Sequence, residues 1–209
     1  MIRLVIADDH AIVREGLGRI LLDCPDIQLV AEVERGDDVQ TAVANSAADV
    51  LLLDISMPGP SFLDLLRALE ISHPDTRILV FSMHSEDQYA LRAFRAGAAG
   101  YLTKDRAPEE ILEAIRTVHR GGRYVSQAIE QKLTARSAAK AGPPHETLSD
   151  REYEVMRLLG AGKSLKDIAA GLSLSPKTVS TYRSRVLEKM GFHSNADIVR
   201  YLMEQGITT

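Results

Sequence analysis

The sequence predicts two structural classes in one chain: an α/β domain on a five-stranded parallel sheet over residues 1–120, then an all-α four-helix module over 147–209. Three observations carry this expectation. Short apolar, β-branched runs alternate with helical patterns five times in the first half. Beyond residue 146 every apolar pattern has helical spacing. Between them, GGRYVSQAIEQKLTARSAAKAGPPHE (121–146) runs into alanine, glycine and two prolines, which marks a linker. A chain of 209 residues also exceeds the usual single domain of about 100–150 residues.

The first strand is RLVIADD, and Ile12, Val13, Leu17, Ile20 and Leu21 follow it at helix spacing. The strands IQLVAEV, DVLLLDI, RILVFSM and AAGYLTK come next, each trailed by a helical pattern. Parallel strands need crossover helices, so this alternation implies a sheet covered on both faces. Pro108 opens the fifth helix with Glu109 and Glu110 behind it. Proline costs least in a first turn, and acids suit its positive end. Ile111, Leu112, Ile115 and Val118 give that helix its apolar face. The linker is expected to be helical around 126–138 and mobile near 138–146. In the back half the helical sets are Val155, Leu158 and Leu159; Leu165, Ile168, Ala169 and Leu172; Val179, Val186 and Met190; and Ile198, Val199 and Leu202.

Hydrophobic residues at 45% and charged residues at 26% are those of an ordinary folded, soluble protein. No run approaches the roughly 18 apolar residues of a membrane span, and MIRLVIADDH puts acids where a signal peptide needs an apolar stretch. The expected setting is cytoplasmic, with no membrane partner. Cys24 is the only cysteine, so neither an internal disulfide nor a cysteine-rich zinc site is available. Charge divides unevenly: residues 1–120 hold 12 Lys/Arg against 20 Asp/Glu, a net of −8, and 147–209 hold 9 against 7, a net of +2. The split suits a cation-binding front and an anion-binding back.

The third strand ends in one carboxylate, Asp54, followed by Pro58-Gly59; the first ends in Asp8 and Asp9. In open parallel sheets ligands bind beyond the carboxyl ends of the strands, where strand order reverses. If strands one and three are neighbours, the three carboxylates converge and require a cation; oxygen-only ligation points to Mg²⁺. Ser82 and Lys104 end the fourth and fifth strands, offering a hydroxyl and an ammonium to phosphoryl oxygens. Such a set is equipped for phosphoryl transfer onto Asp54, with the Pro58-Gly59 turn keeping that acid open to a donor.

These residues in this order, DD at 8 and 9, D at 54 with MPG behind it, S at 82 and K at 104, resemble the receiver domain of two-component response regulators over about residues 1–120. The resemblance implies a flavodoxin-like fold and a phosphoryl group accepted by Asp54 from a sensor histidine kinase. It implies Mg²⁺ held by Asp9, Asp54 and the Ser56 carbonyl, with Asp8 acting partly through water. Lys104 would pair with the phosphoryl group, and Ser82 and Tyr101 would form the switch pair. Ser56 and His84 stand where this family sets phosphate lifetime. Phe62 departs from the pattern, standing where many receivers have glycine, with Pro60 before it.

In the back half GAGKS resembles a phosphate loop, but the place of its first glycine holds Arg157 and the segment follows a helix instead of a strand. A short helix over 165–172, a turn through Ser173-Leu174-Ser175 and a longer helix capped by Ser175 with Pro176 in its first turn make a helix-turn-helix. The second helix carries Lys177, Arg183, Arg185 and Lys189 for phosphates, and Ser180, Thr181 and Ser184 for base edges, with Thr178 also among the expected DNA-binding residues. LSDRE and IAAGLSLSPKTVSTYRSRVLEKM resemble the LuxR-type DNA-binding domain over about 145–207, which with a receiver makes the NarL/FixJ family. That resemblance implies a recognition helix over 176–190 and a homodimer on double-stranded DNA through the last helix, around 195–205.

The expected function is a phosphorylation-switched, DNA-binding transcription regulator, not an enzyme. Two alternatives stay open: a regulator that binds DNA without phosphorylation, and a Mg²⁺-dependent phosphatase working through an aspartyl-phosphate.

Overall fold

The computed structural model describes residues 1–136, 144–172 and 174–207; most of the stretch expected to be mobile, and Ser173 of the expected turn, lie outside the described residues. The chain divides into two compact units, Met1–Ser137 and Ala138–Thr209.

The first unit runs β1 (Ile2–Ala7), α1 (Ala11–Leu22), β2 (Ile27–Val33), α2 (Gly36–Ser46), β3 (Val50–Leu53), α3 (Phe62–Ser72), β4 (Arg77–Ser82), α4 (Glu86–Arg95), β5 (Gly100–Thr103), α5 (Pro108–His119) and α6 (Gln127–Arg136). The sheet is wholly parallel in the order β2-β1-β3-β4-β5, so β1 and β3 are neighbours and strand order reverses at β1. Alternate side chains go to opposite faces. Leu4, Ile6, Leu52, Leu79, Phe81 and Leu102 join Leu17 and Leu21 of α1 and Ile111, Ile115 and Val118 of α5 in one core layer. Val5, Leu51, Leu53 and Val80 occupy the other parity, and on that side Val39, Val43, Leu66 and Leu69 are buried. With both faces covered, the strands read as continuous apolar runs. All but β2 stop one or two residues before those runs do: Asp8, Asp9, Asp54 and Lys104 lie past the last paired residue, free of the in-out alternation of the sheet.

Beyond α5 the chain returns to β5. Tyr124 bridges Gly100, donating its amide to Ala99 and accepting from the amide of Tyr101, and the Ser126 amide donates to Glu86 of α4. This close return needs glycine at 100, where an added Cβ would lie 2.6 Å from Leu79 Cδ1 and 3.1 Å from both Tyr124 Cβ and its carbonyl oxygen. Gly100→Ala is therefore expected to lower stability by about 1–3 kcal/mol, as overpacking does, measured as a fall in the denaturant midpoint of the first unit. An unchanged midpoint would mean that the Tyr124 segment lifts away at little cost.

The second unit holds a 3₁₀ turn (Pro144–Thr147) and helices α7 (Asp150–Gly160), α8 (Leu165–Gly171), α9 (Pro176–Met190) and α10 (Asn195–Glu204). Its starts are chemically marked: Ser149 and Glu152 form a reciprocal capping box for α7, Ser164 and Asp167 one for α8, and Ser175 accepts from the Thr178 amide with Pro176 at the first turn of α9. Gly191 ends α9 in the left-handed region at φ 67°, where glycine carries no Cβ penalty. Val155, Met156, Ile168, Val179, Val186 and Ile198 are buried and form the helical core.

Candidate functional site

Three strand tips build the first site. The amide of Asp54 donates to Ala7 (2.8 Å), that of Asp8 to Val33 (3.0 Å) and that of Lys104 to Ser82 (2.8 Å), so each tip is tied to the strand beside it. Asp8, Asp9, His10 and Asp54 each bring one ligand atom within 4.8 Å of the others. The Lys104 ammonium sits 2.6 Å from Asp8 Oδ2 and 2.9 Å from Asp54 Oδ2. Asp54 lies deeper than an acid held open by a turn would: it is 2% exposed, with His10 Nδ1 3.9 Å from its Oδ2. Burial pushes its carboxyl above the usual range; Lys104 opposes that shift and the negative charge of Asp8 adds to it. Burial works against the ammonium of Lys104, but the hydrogen bonds to Asp8 and Asp54 outweigh it and hold its pKa above the ordinary lysine value.

The donor set fits a hard divalent cation: carboxylate oxygens dominate it, and three acids crowd one strand-end cluster. Ser56 is near, its amide donating to Asp54 Oδ1 at 3.2 Å. Ser82 is fully buried at the end of β4 and Tyr101 is buried in β5. Their hydroxyls meet one residue: the His84 amide donates to Ser82 Oγ (3.0 Å), and the Tyr101 hydroxyl donates to the His84 carbonyl (2.9 Å).

The second site is the outer face of α9. Lys177, Thr181, Ser184, Arg185 and Glu188 are exposed along one stripe, while Val179 and Val186 turn into the core. Thr181 and Ser184 donate their hydroxyls to helix carbonyls four residues back, so their oxygens remain acceptors toward an outside donor. Thr178 and Ser180 are half-buried, with Thr178 engaged by the Ser175 cap. Two of the expected cations have partners inside the unit: Arg183 Nε donates to Asn195 Oδ1 (2.7 Å), and Lys189 Nζ lies 2.7 Å from Glu152 Oε2.

Glu152 is buried, and its capping role fixes it. Burial pushes its carboxyl up, and Lys189 with the Ser149 bonds more than cancels this, leaving it below the ordinary glutamate value. A depressed carboxylate adds stability that is present above the unfolded value of about 4.3 and lost as pH falls through the folded one. The amide-exchange protection of α7 in the full chain, corrected for the intrinsic rate at each pH, is expected to fall below about pH 4.3, and Glu152→Gln to remove that component. Lys189→Met is expected to destabilise the unit by about 1–3 kcal/mol, less than for a fully buried pair because Lys189 is 42% exposed. A loss of DNA affinity in Lys189→Met without loss of stability would overturn this structural role.

The family model described as a response regulator receiver domain matches residues 4–116, and that of bacterial regulatory proteins of the luxR family matches residues 146–202. The chain belongs to the NarL/FixJ family of response regulators. The response regulator UvrY of Escherichia coli (strain K12) is 36% identical over 99% of this chain and 96% of its own length. The response regulator GacA of Pseudomonas aeruginosa is 36% identical over 99% and 98%. A structure of the RcsB response regulator of Salmonella typhimurium matches 97% of each chain at 26% identity and a TM-score of 0.68. Another, of RcsB bound to promoter rprA in the presence of the phosphomimetic BeF₃⁻, matches 97% of this chain and 98% of that one at 25% identity and 0.65.

Two residues of this response regulator's first site escaped the sequence. His10 follows the acid pair directly and brings Nδ1 within 2.7 Å of Asp9 Oδ1 and 3.1 Å of Asp8 Oδ1. Arg14 lies on the buried stripe of α1 with Leu17 and Leu21; its guanidinium donates to the Asp8 carbonyl at 2.6 Å and to Glu34. A cation at a core position of a helix was the signal for Arg14. His10 had only adjacency to mark it.

Proposed function

We propose that this response regulator takes a phosphoryl group on Asp54 from a sensor histidine kinase, and that the modification controls binding of α9 to double-stranded DNA as a homodimer. The observation that carries the proposal is the convergence of Asp8, Asp9, Asp54 and Lys104 at one sheet end, in a chain that also folds a capped helix-turn-helix. In the proposed step a carboxylate oxygen of Asp54 attacks the donor phosphorus, the bond to the leaving group breaks, and an acyl phosphate results. Asp8, Asp9 and Asp54 with the Ser56 carbonyl would hold Mg²⁺, which when bound supplies neutralising charge to the phosphoryl oxygens. Lys104, which reaches both Asp8 and Asp54, would supply a second positive charge to the phosphoryl oxygens. The buried hydroxyls of Ser82 and Tyr101 read the new charge, because both bond to the His84 backbone and a shift of one is felt by the other.

The receiver is taken as 1–120 and the DNA-binding domain as 147–209, joined through 121–146. The RcsB structures with promoter DNA and BeF₃⁻, and that of two RcsB dimers on two parallel DNAs, support the same reading here. The absence, among the described residues, of any helix long and apolar enough to cross a membrane accords with a cytoplasmic regulator. The chain acts as a regulator and not as a turnover enzyme.

The test is binding to a panel of genomic DNA fragments with and without a small phosphodonor and Mg²⁺. Donor-dependent tightening is the expected result. Tight, specific binding that ignores the donor would keep the DNA-binding half and remove phosphorylation control.

A further inference from the structure

Phe62 opens α3, directly after the loop that carries Asp54 to Ser61. Its ring meets that of Tyr89 of α4 edge-on, with centroids 5.6 Å apart and planes at 76°. Tyr89 is buried, and the ring of His84 lies against it at 5.2 Å. His84 is the residue whose backbone holds both Ser82 and Tyr101. Its two neighbours in the loop face outward: Met83 is 74% exposed, and Ser85 is exposed and makes no capping bond to α4. The His84 ring is therefore the side chain that fastens the β4–α4 loop to the body of the unit, and its seat is a ring that Phe62 also packs against.

We propose that Phe62 is a positioning residue for the switch: through Tyr89 it fixes where His84 presents its amide and carbonyl, and so couples the acceptor loop to Ser82 and Tyr101. Edge-to-face ring pairs hold a defined geometry beyond what burial alone imposes. A glycine in place of Phe62 would leave the edge of Tyr89 without this ring and free His84 to move independently of the loop bearing Asp54. The residue that sets this chain apart from the receiver pattern thus joins the loop that follows Asp54 to Tyr101, through the rings of Tyr89 and His84 and the His84 carbonyl. The inference rests on the switch reading above.

The test compares wild type, Phe62→Ala and Phe62→Tyr, all full-length, with fluorotyrosine incorporated at position 101 for ¹⁹F NMR and beryllofluoride with Mg²⁺ as the phosphoryl mimic. In wild type the signal at 101 is expected to shift and DNA affinity to rise at least about tenfold, within the usual range of coupling. Phe62→Ala is expected to keep phosphate uptake on Asp54 and unmodified DNA affinity within about twofold of wild type, while the affinity gain falls below about threefold and the 101 signal stops responding. Phe62→Tyr, which keeps the ring edge, restores both. A full gain and shift in folded Phe62→Ala overturns the proposal and leaves the switch standing. Absence of any gain in wild type overturns the switch and this proposal with it. Should Phe62→Ala fail to fold, Phe62→Leu keeps the apolar volume without the ring, and the same loss of response is the expected result.

Discussion

Replacing Asp54 by asparagine is expected to lower phosphate incorporation from acetyl phosphate by at least about a hundredfold, since an amide oxygen has neither the charge nor the nucleophilicity that an acyl-phosphate bond requires. The neighbouring acids are poor substitutes. Asp8 is buried, with Oδ1 accepting from the His10 amide and Oδ2 against Lys104, and Asp9 Oδ1 is taken by His10. The fold should survive the change. Because the Asp54 carboxyl is held above its ordinary pKa, chiefly by burial, its ionisation weakens the native state at neutral pH, and that weakening is relieved as pH falls through the folded value. Asparagine removes it at every pH, so at pH 7 the relieved burial of charge opposes the lost bond to Lys104, and the variant should melt close to wild type. The rise in melting temperature that Mg²⁺ gives wild type by mass action should shrink in the variant, as one ligand is gone. Radiolabelled acetyl phosphate and a thermal melt measure the two effects. Incorporation retained in Asp54→Asn would place the acceptor elsewhere in the cluster.

The architecture was legible because it rests on periodicity. Five apolar runs with helices between them leave few arrangements other than a parallel sheet, and Pro108, Ser175 and Pro176 mark helix starts by local chemistry. What the sequence blurred were strand ends: RLVIADD reads as one run, yet pairing stops at Ala7, since apolar character and hydrogen-bonded register are separate properties. The convergence of Asp8, Asp9, Asp54 and Lys104 was legible as isolated polar residues at strand tips. His10 was not, because an imidazole beside two acids has no periodic signature, and its place over Asp54 follows from how α1 begins. The division of α9 into an outward stripe and cations with internal partners depends on how α7 and α10 pack beside it, which no local pattern in α9 shows. Phe62 was visible as a departure, but its contact with Tyr89 required the packing of α3 against α4.

That division of α9 gives the second large expected effect. Removing Lys177 or Arg185 should weaken DNA binding by roughly fivefold to tenfold each at about 0.15 M salt and lower the salt slope by about 0.9 per lost phosphate contact. Both are exposed on the outer stripe, and neither makes an ion pair among the described residues, so their charge is available to phosphates. Their side chains do not reach the core formed by Val179 and Val186, so thermal stability should stay within about 0.5 kcal/mol of wild type. Substituting both should lower affinity by about the product of the two single effects, because eight residues on an α-helix separate them by roughly 12 Å and distant sites add. Arg183→Ala should behave differently: its bond to Asn195 anchors α9 to the start of α10, so part of its effect should appear as lost stability. Ser184→Ala tests base reading, since a hydroxyl that contacts a base edge changes preference at one position and leaves the salt slope alone. Binding titrations at several salt concentrations separate these cases. If Lys177→Ala and Arg185→Ala leave affinity and slope untouched, the outer face of α9 does not meet the DNA backbone, and the recognition surface lies on another element of the second unit.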